Sequence, residues 1–472
     1  MSYARARMTT SGISRTRRGE QSTMPASDQP GDVSSTGPGH DRARDPVSRR
    51  CVWSSRLMVA LVPLGALALV VPRYRHSSYF YDEWSMLDRI VSAHLVHGAF
   101  EPFNGHLYLV PFLTYRAQLE LGLHGHALVW TVFCITLLAC NVSVALALWA
   151  ARVPPLAAVV AGAAITYFGP GAQLMTLEFQ FGMIGAIALS FLAAFIVLRS
   201  RPALAPALTI AAVLVVAAAF DSGSATGGVL FVAALLALRW RGRWTFVAVA
   251  PAALALLAYL HAHGTSPTWP APLGSEISVG IHLFLLAAGG LAGGGEVTGA
   301  VVLVAAGALF AFAMASGRMS RDAAHCLVAG TVAALVIDGL IATTRAGIIK
   351  GDYLDFNRYT ALIAFFLLFA LLVPAVSVVG DLLPRRSRAI SVATAALLGL
   401  AFLGNLAPLD RYRNLVEGWQ TQSHALVLQS SEQLKRGCPD GRPPKQDALP
   451  LGALGPQLSV RLLEQLEARS GR

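Results

Sequence analysis

The sequence predicts an all-α integral membrane protein, and three observations carry that reading. Of 472 residues, 55% are hydrophobic and only 13% charged, against roughly 25% charged in a soluble globular domain. The mean hydropathy is +0.56. The apolar residues fall in long uncharged runs, which excludes a soluble enzyme and also a chain in which disorder dominates.

Residues 1–50 are rich in Ser, Gly, Pro, Asp and Arg and have no apolar periodicity. They cannot bury enough surface to offset the entropy of ordering, and read as a disordered basic cytoplasmic arm. The first apolar run, 52–72, ends in Val-Val-Pro-Arg-Tyr without a small-x-small cleavage site, so it reads as a retained membrane helix rather than a signal peptide. A crossing helix needs about 20 mostly apolar residues. The segments 128–150, 156–170, 181–198, 203–220, 224–239, 245–261, 296–315, 325–343, 359–379 and 389–407 approach or meet that, which makes about eleven spans. A twelfth is possible at 280–293, but this segment is short and glycine-broken, which suits a re-entrant or interfacial piece. Residues 51–408 are thus the polytopic domain, with a first external loop at 73–127. Residues 409–472 form a polar tail, helical near 411–436 and 457–468.

Charge orients the spans. The net charge is +11, and with eleven spans and the arm inside, the short cytoplasmic connections hold Arg152, Arg199, Arg201, Arg239, Arg241, Arg243, Arg318, Arg321, Arg385, Arg386 and Arg388. Only Asp322 and Asp381 oppose them there. The other face carries most of the acids, Asp82, Glu83, Asp88, Glu101, Glu178 and Asp355 among them. This asymmetry follows the positive-inside rule. The basic balance is therefore topological and does not imply nucleic acid; the N-terminus is expected in the cytoplasm and the C-terminus outside a plasma membrane. Five scattered cysteines show neither zinc spacing nor a disulfide framework, and GGLAGGG at 289–295 lacks the spacing of a phosphate loop, so its glycines are expected to allow close helix packing.

The first external loop mixes apolar and polar residues as amphipathic interfacial helices do. Leu87, Ile90, Val91, His94 and Leu95 recur at helical spacing behind Asp82–Glu83. Carboxylates in a first helical turn serve as caps, but this pair is bracketed by Tyr79, Phe80, Tyr81 and Trp84 beside the bilayer surface. Such a pair, just after the first membrane helix of a chain with this many spans, resembles the GT-C glycosyltransferases, which include protein O-mannosyltransferases and aminoarabinose transferases. Two further patches extend the likeness. Asn104-Gly105-His106 followed by VPFLTYR is similar to an Asn-Glu-His and Pro–Arg pattern of bacterial membrane proteins of this type, with Gly105 in place of the acid. The segment 343–366, with Asn357-Arg358-Tyr359, is similar to their Gly-Arg…Ser-Arg-Tyr segment, with Asn for Ser.

The resemblance implies transfer of a sugar from a polyprenyl-phosphate-linked donor to an envelope acceptor. Such a reaction needs a base for the acceptor hydroxyl and cations for the departing phosphate. Asp82 is expected to be the base, with Glu83 as helper or cap and the two exchangeable. His106, Arg345, Arg358 and Tyr359 are expected at the substrate. Alternatives stand beside each role: a surface histidine, local salt bridges of Arg345 and Arg358 with Asp352 and Asp355, and an Arg358–Tyr359 interfacial anchor. Asp338, Asp221 and Glu178 are expected to be structural. The lipid-linked sugar is the co-substrate and membrane lipid the surroundings; no cofactor is implied, and the sequence specifies neither a metal nor an oligomeric state. A flippase or transporter of lipid-linked glycans, or a non-catalytic protein of this fold, are the rival readings.

Overall fold

The computed structural model describes residues 61–69, 81–121, 127–240, 242–263, 271–349, 357–383, 387–436, 448–450 and 457–459. The N-terminal arm and most of the first predicted span lie outside these, with a helical stretch described at 61–69. Three short helices follow in the first loop: α1 (Tyr81–Ser92), α2 (Leu95–Phe100) and α3 (Leu109–Glu120). The bundle is built from α4 (Ala127–Ala150), α5 (Pro155–Thr166), the short α6 (Ala172–Thr176), α7 (Phe181–Arg199), α8 (Leu204–Phe220), α9 (Ser222–Arg239), α10 (Arg243–His263), α11 (Leu273–Leu291), α12 (Glu296–Ala315), α13 (Arg321–Ile349), α14 (Arg358–Leu382) and α15 (Ser387–Arg436). Among the described residues ten helices are long and apolar enough to cross a membrane, counting Pro155–Leu174 as one, and Leu204–Phe220 is a shorter apolar helix. The protein is an all-α, multi-pass membrane protein.

The helices have two distinguishable ends. At one, Arg239 donates to Asp322 at 2.6 Å and to the Leu198 carbonyl at 3.3 Å, while Arg152 lies 3.7 Å from Asp322. This basic end therefore gathers the last turns of α4, α7 and α9 and the first turn of α13. The opposite end, the loop end, carries α1–α3. There Leu107 and Ser222 hold each other, backbone N–H to Ser222 Oγ at 2.9 Å and Ser222 N–H to the Leu107 carbonyl at 3.2 Å.

The segment predicted as re-entrant is a continuous helix, α11, of 19 residues; its glycine pair Gly289–Gly290 sits at the end and breaks nothing. Tyr259, near the end of α10, is within electrostatic reach of Arg89, Glu101 and Asp221 of the loop end, and α12 finishes beside the start of α13 at the basic end. Gly280 lies against Asp338 and Ala342 in the loop-side half of α13, and Gly290 against Phe168 and Pro170 beyond α5. By length and composition Leu273–Leu291 is one of the ten helices able to cross a membrane, where the sequence suggested a re-entrant or interfacial piece. The GGLAGGG glycines make the hairpin to α12 possible, with Gly289 against Gly295 and Gly293 at a φ of +75°, as expected of small residues in membrane helices.

Two features of the tail differ from the sequence reading. The last span does not stop near 408: α15 is one helix of 50 residues with Pro408 inside it, about 75 Å at 1.5 Å per residue, far longer than a bilayer core of about 30 Å. Leu409, Tyr412 and Val416 are buried at helical spacing, so packing carries the helix past the proline. Residues 457–459, read as the start of a helix, form instead a strand, β2 (Gln457–Ser459), antiparallel to β1 (Ala448–Pro450) with Leu449 opposite Leu458. Here cross-strand pairing outweighs local helix propensity.

Candidate functional site at the loop end

Helix α1 turns one face inward, burying Glu83, Trp84, Leu87 and Ile90; it ends at Ser92, before His94 and Leu95. Asp82 and Glu83 both lie in its first turn. The Asp82 side chain lies outside the described residues. Glu83 is 1% exposed and accepts a short hydrogen bond from the Tyr115 hydroxyl of α3. Tyr115 belongs to the inward stripe of α3 with Phe112 and Gln118. Gln118 Oε1 accepts from the backbone N–H groups of Leu128 and Val129, satisfying orphan donors at the start of α4. Glu83 is thus tied into the packing of the loop.

Phe103 and His106 exchange backbone hydrogen bonds at 2.8 and 2.9 Å, closing a turn whose central residues Asn104 and Gly105 have φ of +50° and +83°. Positive φ at both positions is what an Asn-Gly turn provides. This accounts for Gly105 where the resembling pattern has an acid: the position is a backbone hinge, and a catalytic carboxylate does not fit the role it plays here. An aromatic cluster seats the turn on the segment just before α7, with Phe179 stacked on Tyr108 at 5.0 Å and tilted against Phe103 at 5.2 Å and Tyr115 at 6.2 Å.

His106 packs on the first turn of α9. A Cβ at Gly223 would stand 2.7 Å from two atoms of its ring, so the glycine makes room for the imidazole. Asp221 caps that helix, accepting from Gly223 N–H at 3.2 Å and Ser224 N–H at 2.9 Å, and from Ser224 Oγ, the structural role expected of it. Arg345, buried near the end of α13, donates from Nη2 to the Asn104 carbonyl at 3.3 Å. Arg358 opens α14 with its guanidinium 5.0 Å from the Tyr359 ring centroid and donates to the Tyr359 hydroxyl at 3.4 Å. Asn357, in the place of serine, accepts from Gln173 N–H at 2.8 Å and so fixes the start of α14. Asp338 faces Gly280 of α11. Lys350, Asp352 and Asp355 lie outside the described residues.

Four of the residues singled out in the sequence are therefore linked: the charges of Arg345 and Arg358 both act on the His106 ring, and Tyr359 stands beside Arg358. Burial holds the imidazole below its ordinary 6.5; Asp221 opposes this, and the two guanidinium groups push the same way as burial. His106 is neutral at pH 7 and serves as one donor and one acceptor. Its folded pKa lies below the unfolded one, so the unfolded chain binds the proton more readily in that interval and stability rises with pH. The expected result is that thermal stability is lost as pH falls through 6.5 toward the folded value, and that His106→Gln flattens this slope. Unfolding midpoints measured across pH 4.5–8, roughly spanning the imidazole range, check it.

The sequence reading missed Tyr115 and Phe179, and named Asn104 only within the resembling motif. Asn-Gly was a readable turn signal, whereas nothing local marks Tyr115 as the partner of Glu83. Among the described residues no three His, Cys, Asp or Glu side chains are grouped to hold a metal ion. The fold and this cluster define a polytopic α-helical membrane protein with a polar, arginine-containing site under its first loop. In comparisons with known proteins, no family model matches the chain, and neither a curated protein nor a solved structure matches it at a significant level.

Proposed function

We propose that the protein is a plasma-membrane glycosyltransferase that moves a sugar from a polyprenyl-phosphate-linked donor to an acceptor at the outer face. The observation that carries this is that Arg345, bound to the Asn104 carbonyl of the turn, and Arg358 both act electrostatically on His106: two planar forks of the kind that suits the oxygens of an isoprenoid phosphate. In this reading the arginines receive the phosphate as the bond from its oxygen to the sugar breaks. Neutral His106 orients it through its ring N–H. Asp82, in the first turn of α1, takes the proton of the acceptor hydroxyl as its oxygen bonds to the sugar. The concentration of Arg152, Arg199, Arg239, Arg318 and Arg321 at the opposite end supports placing that end in the cytoplasm and the site outside.

Transfer of a labelled sugar from polyprenyl-phosphate sugars, assayed with the protein in vesicles, tests this. Arg345→Gln and Arg358→Gln are each expected to raise KM for the donor roughly 10- to 100-fold, as loss of one charge-assisted hydrogen bond worth about 1.5–3 kcal/mol predicts. Donor movement across the bilayer without any transfer to an acceptor would instead establish the flippase reading.

A further inference from the structure

At the basic end, far from the loop site, the chain forms a concave pocket of about 440 Å³ lined in part by Trp149, Arg152, Pro155, Arg199, Arg239 and Asp322. A basic cytoplasmic end is ordinary in a membrane protein; a cavity that concentrates three guanidinium groups is a narrower observation. Their situations differ. Arg239 is spoken for, bound to Asp322 at 2.6 Å and to the Leu198 carbonyl. Arg152 stands 3.7 Å from the same carboxylate with its side chain 82% exposed, and exposed Arg199 lies over the Trp149 ring at 5.3 Å. One carboxylate faces three arginines, so the pocket keeps an excess of positive charge on its open side.

The backbone at Arg152 is a second, independent observation. Helix α4 ends with Val153 N–H on the Leu148 carbonyl and Arg152 N–H on the Trp149 carbonyl, a Schellman arrangement in which the left-handed residue is usually glycine. Here it is Arg152, at a φ of +71°. A side chain in that conformation is strained relative to glycine, and at this position the arginine projects a guanidinium from the rim of the pocket. Trp149, 46% exposed, gives the rim the amphipathic ring favoured at headgroup depth.

We infer that this pocket binds the phosphate-bearing headgroup of one anionic membrane phospholipid, held by Arg152 and Arg199 with Trp149 against its glycerol end. Basic pockets between membrane helices take such headgroups, and the planar fork of arginine suits phosphate oxygens. The lining is mainly polar and open on one side, which suits a headgroup whose acyl chains stay in the bilayer.

The test uses the full-length protein in detergent, with its thermal midpoint followed during titration by phosphatidylglycerol, phosphatidylcholine and inorganic phosphate. The variant Arg152→Gly with Arg199→Gln removes both exposed forks while giving α4 the residue its terminus ordinarily carries, so it is expected to fold. A pair of changes outside the pocket at the same end, Arg318→Gln with Arg388→Gln, removes equal charge. The expected result is stabilisation of the natural sequence by phosphatidylglycerol and not by phosphatidylcholine, retained in the control pair and weakened roughly 30-fold in apparent affinity in the pocket variant. An undiminished response in the pocket variant, an equal loss in the control pair, equal stabilisation by phosphatidylcholine, or equal protection by inorganic phosphate would each overturn the assignment.

Discussion

Asp82→Asn lowers kcat for sugar transfer by about 10²- to 10⁴-fold, the usual worth of a positioned general base, and leaves the protein folded with an unchanged thermal midpoint. The neighbouring Glu83→Gln gives the opposite pattern. Glu83 is buried and takes the Tyr115 hydroxyl, so a neutral amide there weakens a charge-assisted bond that joins α1 to α3 and lowers stability by about 1–3 kcal/mol. Its transfer rate, measured on the folded fraction, falls far less than that of Asp82→Asn. The two measurements together assign the base: transfer kinetics in vesicles for each variant, beside thermal unfolding of the same preparations. Full transfer by folded Asp82→Asn would remove Asp82 from the chemistry. Full transfer by the folded double variant would remove both acids from the chemistry, and absence of transfer by the natural sequence from any polyprenyl-phosphate sugar would remove the enzymatic reading.

Gly299→Ala is expected to destabilise the fold by about 3 kcal/mol, at the upper end of the range for overpacking. Gly299 sits one turn into α12, and a Cβ there would overlap the Leu285 carbonyl oxygen and crowd Gly289 N. Both obstacles are backbone, so a rotamer change cannot relieve them, and α11 must move away from α12. His282 and Glu296, joined at 2.8 Å across the same hairpin, would separate with it. Gly307→Ala in the same helix is the control, because nothing lies within 4 Å of a Cβ at that position; it is expected to be neutral or mildly stabilising, since alanine favours helix by about 1 kcal/mol over glycine. Thermal unfolding in detergent of both variants decides the matter. Equal midpoints for the two would show that the close approach of α11 and α12 contributes nothing.

These predictions separate what was legible locally from what was not. Asp82 and Glu83 look equivalent in sequence, two acids in one helical turn. The difference between them was set by Tyr115, 32 positions along the chain from Glu83, which no spacing rule points to. His106, Arg345, Arg358 and Tyr359 were readable as polar residues on one face, through the parity of the spans. Their convergence was not readable, because it depends on the Asn104–Gly105 turn presenting its carbonyl to an arginine 241 positions away. The re-entrant reading of 280–293 misjudged the continuity of the segment: a glycine pair breaks a helix only where the chain must turn, and Gly289–Gly290 lie at the end of α11.

The sequence by itself determined the membrane class, the all-α architecture and the sorting of arginine to one end. These follow from transfer free energies and charge rules that act on each segment independently of its neighbours. Tertiary structure alone decided that Glu83 is held by Tyr115, that Gly105 is a turn residue, that Arg152 takes a glycine's conformation at the rim of a basic pocket, and that α15 runs on to Arg436. The physical reason is the same in each case: hydrogen bonds and packing between residues distant in the chain depend on which surfaces the folded helices bring together, and composition and periodicity carry no record of that.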